Sequence, residues 1–358
     1  MKKVDPVRVM IVEDSLVVRQ FIENIVNRDP RLEVAASVVS AEEGLRLLGK
    51  ARPDVISMDI RLPGMNGLDA TRQIMRECPL PIVILSAGID RQSLESSMEA
   101  LRAGAVAVLE KPPGVGHADY ESMATTLCTQ LYIMSQVKVV RQRSIRRVET
   151  ETEAALYPPA GLPLKAKDGF KMVGMVASTG GPKVFHAILN ALPANFPLPI
   201  LLVQHMGEGF IDGFASWLNS ACPQTVVVAN DGESPVAGKV YVAPGGRHLE
   251  VTGNGLRVTG AEPVSGQRPS GTVLFNSMAS SLGSRGLGVL LTGMGDDGAS
   301  GLLAMRMAGG FTIAEDKSTA IIYGMPAAAA SIGAACTQLP VDAIAGKIVR
   351  AITNGIRR

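Results

Sequence analysis

The chain has 358 residues, 46% of them hydrophobic and 19% charged, with a formal net charge of +2. That length points to two domains of roughly 120 to 200 residues each, and the near-neutral charge singles out neither nucleic acid nor a membrane surface as partner. Its four cysteines, Cys78, Cys128, Cys222 and Cys336, lie far apart, which argues against a zinc site or a disulfide framework and fits a reducing, cytoplasmic setting. The start carries Lys2, Lys3, Asp5 and Arg8 around a short apolar run, too charged for a secretory leader. No apolar run approaches the ~20 residues that span a bilayer, so a chain that is not membrane-inserted is expected.

In chain order, the runs Val7 to Val12, Val34 to Val39, Val55 to Asp59, Ile82 to Ser86 and Ala105 to Leu109 read as strands with amphipathic helices between them. Five β/α units predict a doubly wound parallel sheet. Ligands bind such sheets beyond the carboxyl ends of the strands, where this chain places Glu13, Asp14, Asp59, Ser86 and Lys111. Crowded carboxylates repel one another unless a hard cation neutralises them, and Mg²⁺ with its oxygen ligands suits such a pocket. Asp59 is then the candidate phosphoacceptor. Any one of these residues alone reads equally well as a helix cap, but four strand ends with polar groups of the right kind do not.

These residues resemble a response-regulator receiver domain, through Glu13-Asp14-Ser15, the stretch from Asp59 to Gly67, Ser86-Ala87 and Glu110-Lys111-Pro112. The resemblance implies that Asp59 takes phosphate from a histidine kinase. It further implies Mg²⁺ held by Glu13, Asp14, Asp59 and the Arg61 carbonyl, with Ser86 and Lys111 sensing the phosphoryl group. Val108 stands three positions before the lysine, where receivers usually carry an aromatic switch residue.

From about Lys138 to Asp168 a basic run, a Glu-Thr-Glu-Thr-Glu stretch and Tyr-Pro-Pro-Ala-Gly-Leu-Pro have linker composition. The basic run lacks interleaved aromatics and reads as a solvated helix end rather than a nucleic-acid arm. The expected organisation is a receiver over residues 1–132, a linker over 133–168 and a second α/β domain over 169–358.

In that second domain Val173 to Ala177 predict a buried strand, and Ser178-Thr-Gly-Gly-Pro182 a tight turn before a helix over Lys183 to Leu192. The turn lifts the Ser178 hydroxyl into the open, beside N–H groups able to bond an oxyanion; a helix cap or a phosphate-cradling loop is the plainer alternative. Further strands are expected at Pro199 to Gln204, Lys239 to Val242, Gly288 to Leu291 and Phe311 to Ala314. A serine needs a base to take its proton, and the imidazole needs an acceptor to fix its tautomer. His205 follows one strand directly and Asp296-Asp297 follow another. His248, after Ala-Pro-Gly-Gly-Arg, rivals His205 as the base, whereas His117 and His186 read as ordinary histidines. Spacing does not separate Asp296 from Asp297; one faces the imidazole and the other is expected to cap the helix beginning near Gly298.

The segments Ala177 to Pro182, Val203 to Met206, Val242 to His248, Leu291 to Gly298 and Tyr323 to Pro326 resemble the catalytic domain of the chemotaxis protein-glutamate methylesterases. With the receiver in front, the resemblance covers nearly the whole chain. It implies Ser178 as nucleophile, His205 as general base and acid, and Asp297 as orienting carboxylate, with the Thr179 and Met294 backbone N–H groups binding the oxyanion. It also implies methylated glutamates on the cytoplasmic helices of chemoreceptors as substrates, a chemotaxis histidine kinase as partner, deamidation of receptor glutamines by the same route, and no cofactor for the ester chemistry. Asp296 stands at a position often uncharged in relatives, and Ala327 to Ala330 replace a more polar stretch. Two other readings of the second domain are a non-catalytic docking module and a serine esterase with a different substrate.

Overall fold

Valine- and isoleucine-rich runs bounded by polar or proline residues form the strands of two α/β units, Met1–Arg146 and Arg147–Arg358. The computed structural model describes residues 5–86, 91–112, 120–137, 139 and 169–354, with the backbone alone for 91–95 and 354. Ala87, His117 and nearly all of the expected linker lie outside the described residues.

In the first unit, strands β1 (Val7–Val12), β2 (Leu32–Val38), β3 (Val55–Asp59), β4 (Ile82–Ser86) and β5 (Ala107–Glu110) make a sheet in the order β2-β1-β3-β4-β5. All its pairings are parallel. Helices α1 (Leu16–Arg28), α2 (Ala41–Ala51), α3 (Gly67–Glu77), α4 (Arg91–Ala103) and α5 (Tyr120–Met134) connect and cover it. Ser15, Ser40 and Asn66 cap the first three helices with side-chain oxygens that accept N–H groups of the first turn. Strands β3 and β4 are buried throughout, as parallel strands covered on both faces must be.

The second unit holds β6 (Met172–Ala177), β7 (Ile200–Gln204), β8 (Thr225–Val228), β9 (Lys239–Val242), β12 (Gly286–Leu290), β13 (Phe311–Glu315) and β14 (Thr337–Leu339), in the order β14-β13-β12-β6-β7-β9-β8. Every pairing is parallel. The connecting helices are α6 (Gly181–Ala191), α7 (Ile211–Ala221), α8 (Gly271–Leu282), α9 (Ala299–Met307), α10 (Met325–Ser331) and α11 (Val341–Asn354). An antiparallel hairpin, β10 (His248–Thr252) and β11 (Gly255–Thr259), stands apart from the sheet. Strand β6 leads off the domain, yet it lies centrally between β7 and β12. Later strands are added on both sides of it, so the crevice beyond its carboxyl end is the switch point at which open α/β sheets bind ligands.

Strand ends differ from the sequence reading by one or two residues at β2, β5, β6, β7, β12 and β13. Four strands were not expected: β8, β10, β11 and β14. Among the described residues no helix is long and apolar enough to cross a membrane.

Candidate active site and phosphoacceptor pocket

Strand β6 ends in Ala177, and the chain turns at once. The Ser178 N–H donates to the Thr292 carbonyl at 2.9 Å, and the Gly181 N–H donates back to the Ser178 carbonyl at 2.9 Å. Gly180 closes the elbow at φ 83, a conformation that excludes most side chains. A Cβ there would also lie 2.7 Å from Ile321 Cδ1. Pro182 follows in the first turn of α6, where its missing N–H costs nothing.

His205 is the first residue beyond β7, and its N–H donates to the Ala177 carbonyl at 3.0 Å. The ring is nearly covered and its Nε2 lies 2.8 Å from Asp297 Oδ2. A carboxylate only accepts, so Nε2 carries the proton and Nδ1 presents the lone pair. Serine and histidine thus leave the ends of neighbouring strands. The Ser178 hydroxyl makes no hydrogen bond among the described residues, as is common before substrate draws a nucleophile and base together.

Asp297, in the loop after β12, is 3% exposed. Its Oδ2 also accepts the Gly271 N–H at 2.6 Å, while Oδ1 accepts the Ser270 hydroxyl at 2.6 Å and the Thr272 N–H at 3.1 Å. The carboxylate therefore sits on the open N-terminus of α8, where unpaired N–H groups and the helix dipole favour an anion. Burial works to raise its pKa, but the bond and charge of His205, with Ser270 and Gly271, outweigh it and hold the carboxyl down at about 2. Asp297 stays ionised and fixes the imidazole.

The rival groups are used elsewhere. His248 is buried as the first residue of β10, not in a turn; its Nε2 donates to the Glu262 carbonyl at 3.0 Å and its Nδ1 accepts the Ser270 N–H at 3.1 Å. With both nitrogens occupied it is a structural histidine. His186 stacks on Trp217 with ring centroids 5.4 Å apart. Asp296 is exposed, and the expectation that it caps α9 is corrected: the N-cap is Gly298, without a side-chain bond. Asp296 contributes its backbone carbonyl to the Ala299 N–H at 3.0 Å instead.

Beside Ser178, Gly293 approaches so closely that a Cβ on it would lie 2.7 Å from Ser178 Cβ. The next residue, Met294, is 43% exposed, and its N–H has no partner among the described residues. Thr292 holds this loop to the elbow, its hydroxyl donating to the Thr179 carbonyl at 2.9 Å. Behind it the buried Glu315 accepts the Thr292 N–H at 2.8 Å; burial, the main cause, raises its pKa. Ser270, Gln204, Thr292 and Glu315 were not singled out from sequence. Of these, only Ser270 carried a signal, as a helix cap.

In the receiver unit, Glu13, Asp14 and Asp59 each offer a carboxylate oxygen within 4.8 Å of the others. Lys111 Nζ lies 2.7 Å from Glu13 Oε2 and 2.9 Å from Asp59 Oδ2. Burial raises the Glu13 pKa, aided by the Asp59 charge and opposed by Lys111. Burial works against the Lys111 charge, yet its bonds to Glu13 and Asp59 prevail and raise its pKa. Asp59 Oδ1 accepts the Arg61 N–H at 3.2 Å. Ser86 is buried at the end of β4, and its carbonyl accepts the Lys111 N–H at 3.0 Å. Three carboxylates against one ammonium leave a net negative pocket of hard oxygen donors, a set that fits Mg²⁺.

Residues 173–348 match the family described as CheB methylesterase, and residues 9–117 match the response regulator receiver domain. A protein of Paramagnetospirillum magneticum named protein-glutamate methylesterase/protein-glutamine glutaminase 2 is 52% identical over 342 residues, 96% of each chain. The chain belongs to this family. A Syntrophus aciditrophicus protein of the same name, numbered 1, is 44% identical over 346 residues, 96% of this chain and 98% of its own. The crystal structure of the Thermotoga maritima CheB methylesterase catalytic domain, 36% identical, superposes with a TM-score of 0.50 over 51% of this chain and 99% of that one. As a methylesterase-family chain with a receiver in front, it is a carboxylic ester hydrolase joined to a phosphorylation module.

Proposed function

We propose that this chain is a phosphorylation-activated hydrolase that removes methyl esters from glutamate side chains of chemoreceptors during chemotaxis adaptation, and that it deamidates receptor glutamines. The observation that carries the reading is the His205–Asp297 pair at the end of β7, beside the Ser178 elbow at the end of β6.

Ser178 Oγ attacks the ester carbonyl while His205 Nδ1 takes its proton. The carbonyl oxygen becomes an oxyanion bound by the Thr179 and Met294 N–H groups, each worth on the order of 10²–10³ in rate. As the tetrahedral intermediate collapses, His205 returns the proton to the leaving oxygen and methanol departs. Water then attacks the glutamyl-serine ester, giving its proton to His205, and Ser178 is regenerated with a free glutamate on the receptor. With a glutamine side chain the leaving group is ammonia. Asp297 holds the imidazole tautomer and balances its positive charge. No cofactor enters these steps. The small leaving groups suit an open site that accepts the face of a long receptor helix.

In the receiver, Asp59 accepts the phosphoryl group from the chemotaxis histidine kinase. Mg²⁺, held by Glu13, Asp14, Asp59 and the Arg61 carbonyl, would supply positive charge to the incoming phosphoryl oxygens. Lys111 and Ser86 stand at the ends of β5 and β4 to pair with that group. Kinase and receptor signalling helices both act on the cytoplasmic side, where this chain belongs.

The test is volatile methanol released from methyl-labelled receptor membranes. Release that rises when kinase and ATP are added supports the reading; no methanol above the membrane-only control overturns it.

A further inference from the structure

The main-chain ladder between β6 and β7 runs in register from Val173↔Ile200 to Ala177↔Gln204. Its last rung is the His205 N–H to the Ala177 carbonyl, at 3.0 Å. Beyond it the backbones part, because the Ser178 N–H turns the other way to the Thr292 carbonyl. The two strands therefore lose main-chain contact where the serine and the histidine begin.

A side chain continues the ladder. Gln204 Nε2 donates to the Ser178 carbonyl at 2.8 Å and to the His205 carbonyl at 2.9 Å. Both amide hydrogens are used. Turning the amide over would aim its oxygen at two carbonyl oxygens, so the orientation is fixed by electrostatics. Gln204 is 2% exposed, and its Oε1 has no hydrogen-bond partner. That oxygen lies over Gly181, where a Cβ would come within 2.0 Å, so the glycine clears the space the amide occupies. A buried acceptor left without a donor is costly, and this cost is borne at the one place where the sheet no longer ties nucleophile to base.

We propose that Gln204 is a positioning residue, a side-chain rung that fixes the carbonyls of Ser178 and His205 to each other and so sets the serine against the imidazole. This rests on Ser178 and His205 being nucleophile and base. The amide touches no reacting atom; it acts through the backbone of the two residues that do.

Gln224 supplies a matched control. It too is buried, with Nε2 donating to the carbonyls of Leu189, Leu192 and Pro193 at 3.1 to 3.2 Å and with Oε1 unpartnered. Those carbonyls lie at the far end of α6 from the elbow. The experiment measures kcat and KM for methanol release from methyl-labelled receptor membranes by the full chain, at a temperature where each variant is folded by circular dichroism. Gln204→Met, of equal length but without donors, should lower kcat about 10- to 100-fold, with KM changed less than about twofold. Gln224→Met should leave both constants within about twofold. If Gln204→Met does not fold, Gln204→Asn, one methylene short of both carbonyls, is read in its place with the same expectation. A Gln204 variant with the kcat of Gln224→Met, or with a loss confined to KM, overturns the proposal. Ser178→Ala is run alongside: full activity there removes the nucleophile reading and the rung with it, whereas an inactive Ser178→Ala beside an unimpaired Gln204 variant removes the rung alone.

Discussion

Asp297 Oδ2 accepts both His205 Nε2 at 2.8 Å and the Gly271 N–H at 2.6 Å, so one oxygen ties the imidazole to the N-terminus of α8. Its partner oxygen is bonded to Ser270 and Thr272, which leaves the carboxylate no freedom to rotate. The His205 imidazole is thus oriented by a charge that a helix has already fixed.

His205→Ala should therefore lower methanol release by about 10⁶-fold, and Asp297→Ala less, by about 10⁴-fold, since triad members act as a unit and the orienting acid is the mildest to lose. His248→Ala should melt earlier, because it strands the Glu262 carbonyl and the Ser270 N–H, yet retain activity per folded molecule. Asp296→Asn should stay near the parent rate. Steady-state assays corrected for the folded fraction check all four; a dead His248→Ala beside an active His205→Ala would reverse the choice of base.

The low Asp297 pKa makes a statement about stability. Its folded value, about 2, lies below the ordinary 3.8, so its stabilisation is present above about pH 4 and drains away as pH falls toward 2. The magnitude is on the order of 2 kcal/mol. Asp297→Asn should be less stable than the parent at pH 7, and the two should converge near pH 2. Trp217, the one tryptophan of the chain, lies buried in α7 of this domain. Urea titrations followed by its fluorescence at a series of pH values read the catalytic domain alone.

Lys111 is the one cation bridging Glu13 and Asp59 among the described residues. Lys111→Met leaves two buried carboxylates facing each other, a break worth roughly 3–5 kcal/mol. The receiver should melt earlier at pH 7, and recover as pH falls and Glu13, already raised in pKa, takes up a proton. Asp59→Asn should abolish kinase-dependent activation while leaving the basal rate, and chelation of Mg²⁺ should do the same to the parent. Labelled phosphate transfer and methanol release, measured together, check both; phosphate incorporated into Asp59→Asn would move the acceptor elsewhere.

Much of this was legible in the sequence. Val7 to Val12, Val55 to Asp59, Ile82 to Ser86 and Lys239 to Val242 coincide with observed strands, because apolar runs closed by polar residues or proline leave little choice of ends. Strands β8 and β14 escaped, being edge strands of four and three residues that are only partly buried. The β10–β11 hairpin did carry a signal, a Gly253-Asn254 turn between alternating residues, which a search for buried parallel strands passes over. Ser178, His205 and the Asp296–Asp297 pair stood out as candidates because each follows a strand, whereas the preference for Asp297 over Asp296 and for His205 over His248 rested on the family resemblance. The contacts of Gln204 and Ser270 were not legible, though Ser270 carried a helix-cap signal, since they depend on β7 lying beside β6 and on α8 beginning under the Asp297 loop.

Regulation gives a further prediction. A receiver joined through the expected linker of roughly thirty residues would have a high effective concentration at any complementary surface, and phosphate on Asp59 would change the receiver face through Lys111 and Ser86. A fragment beginning near Asp168 should hydrolyse receptor esters faster than the unphosphorylated full chain; equal rates would leave inhibition by the receiver without support.

The central claim is that Ser178 is the nucleophile, and the count of volatile methanol from methyl-labelled receptor membranes incubated with Ser178→Ala tests it most directly. With kinase and ATP present and the variant's circular dichroism matching the parent, release should fall to the membrane-only background. Methanol at the parent rate from folded Ser178→Ala would contradict the account.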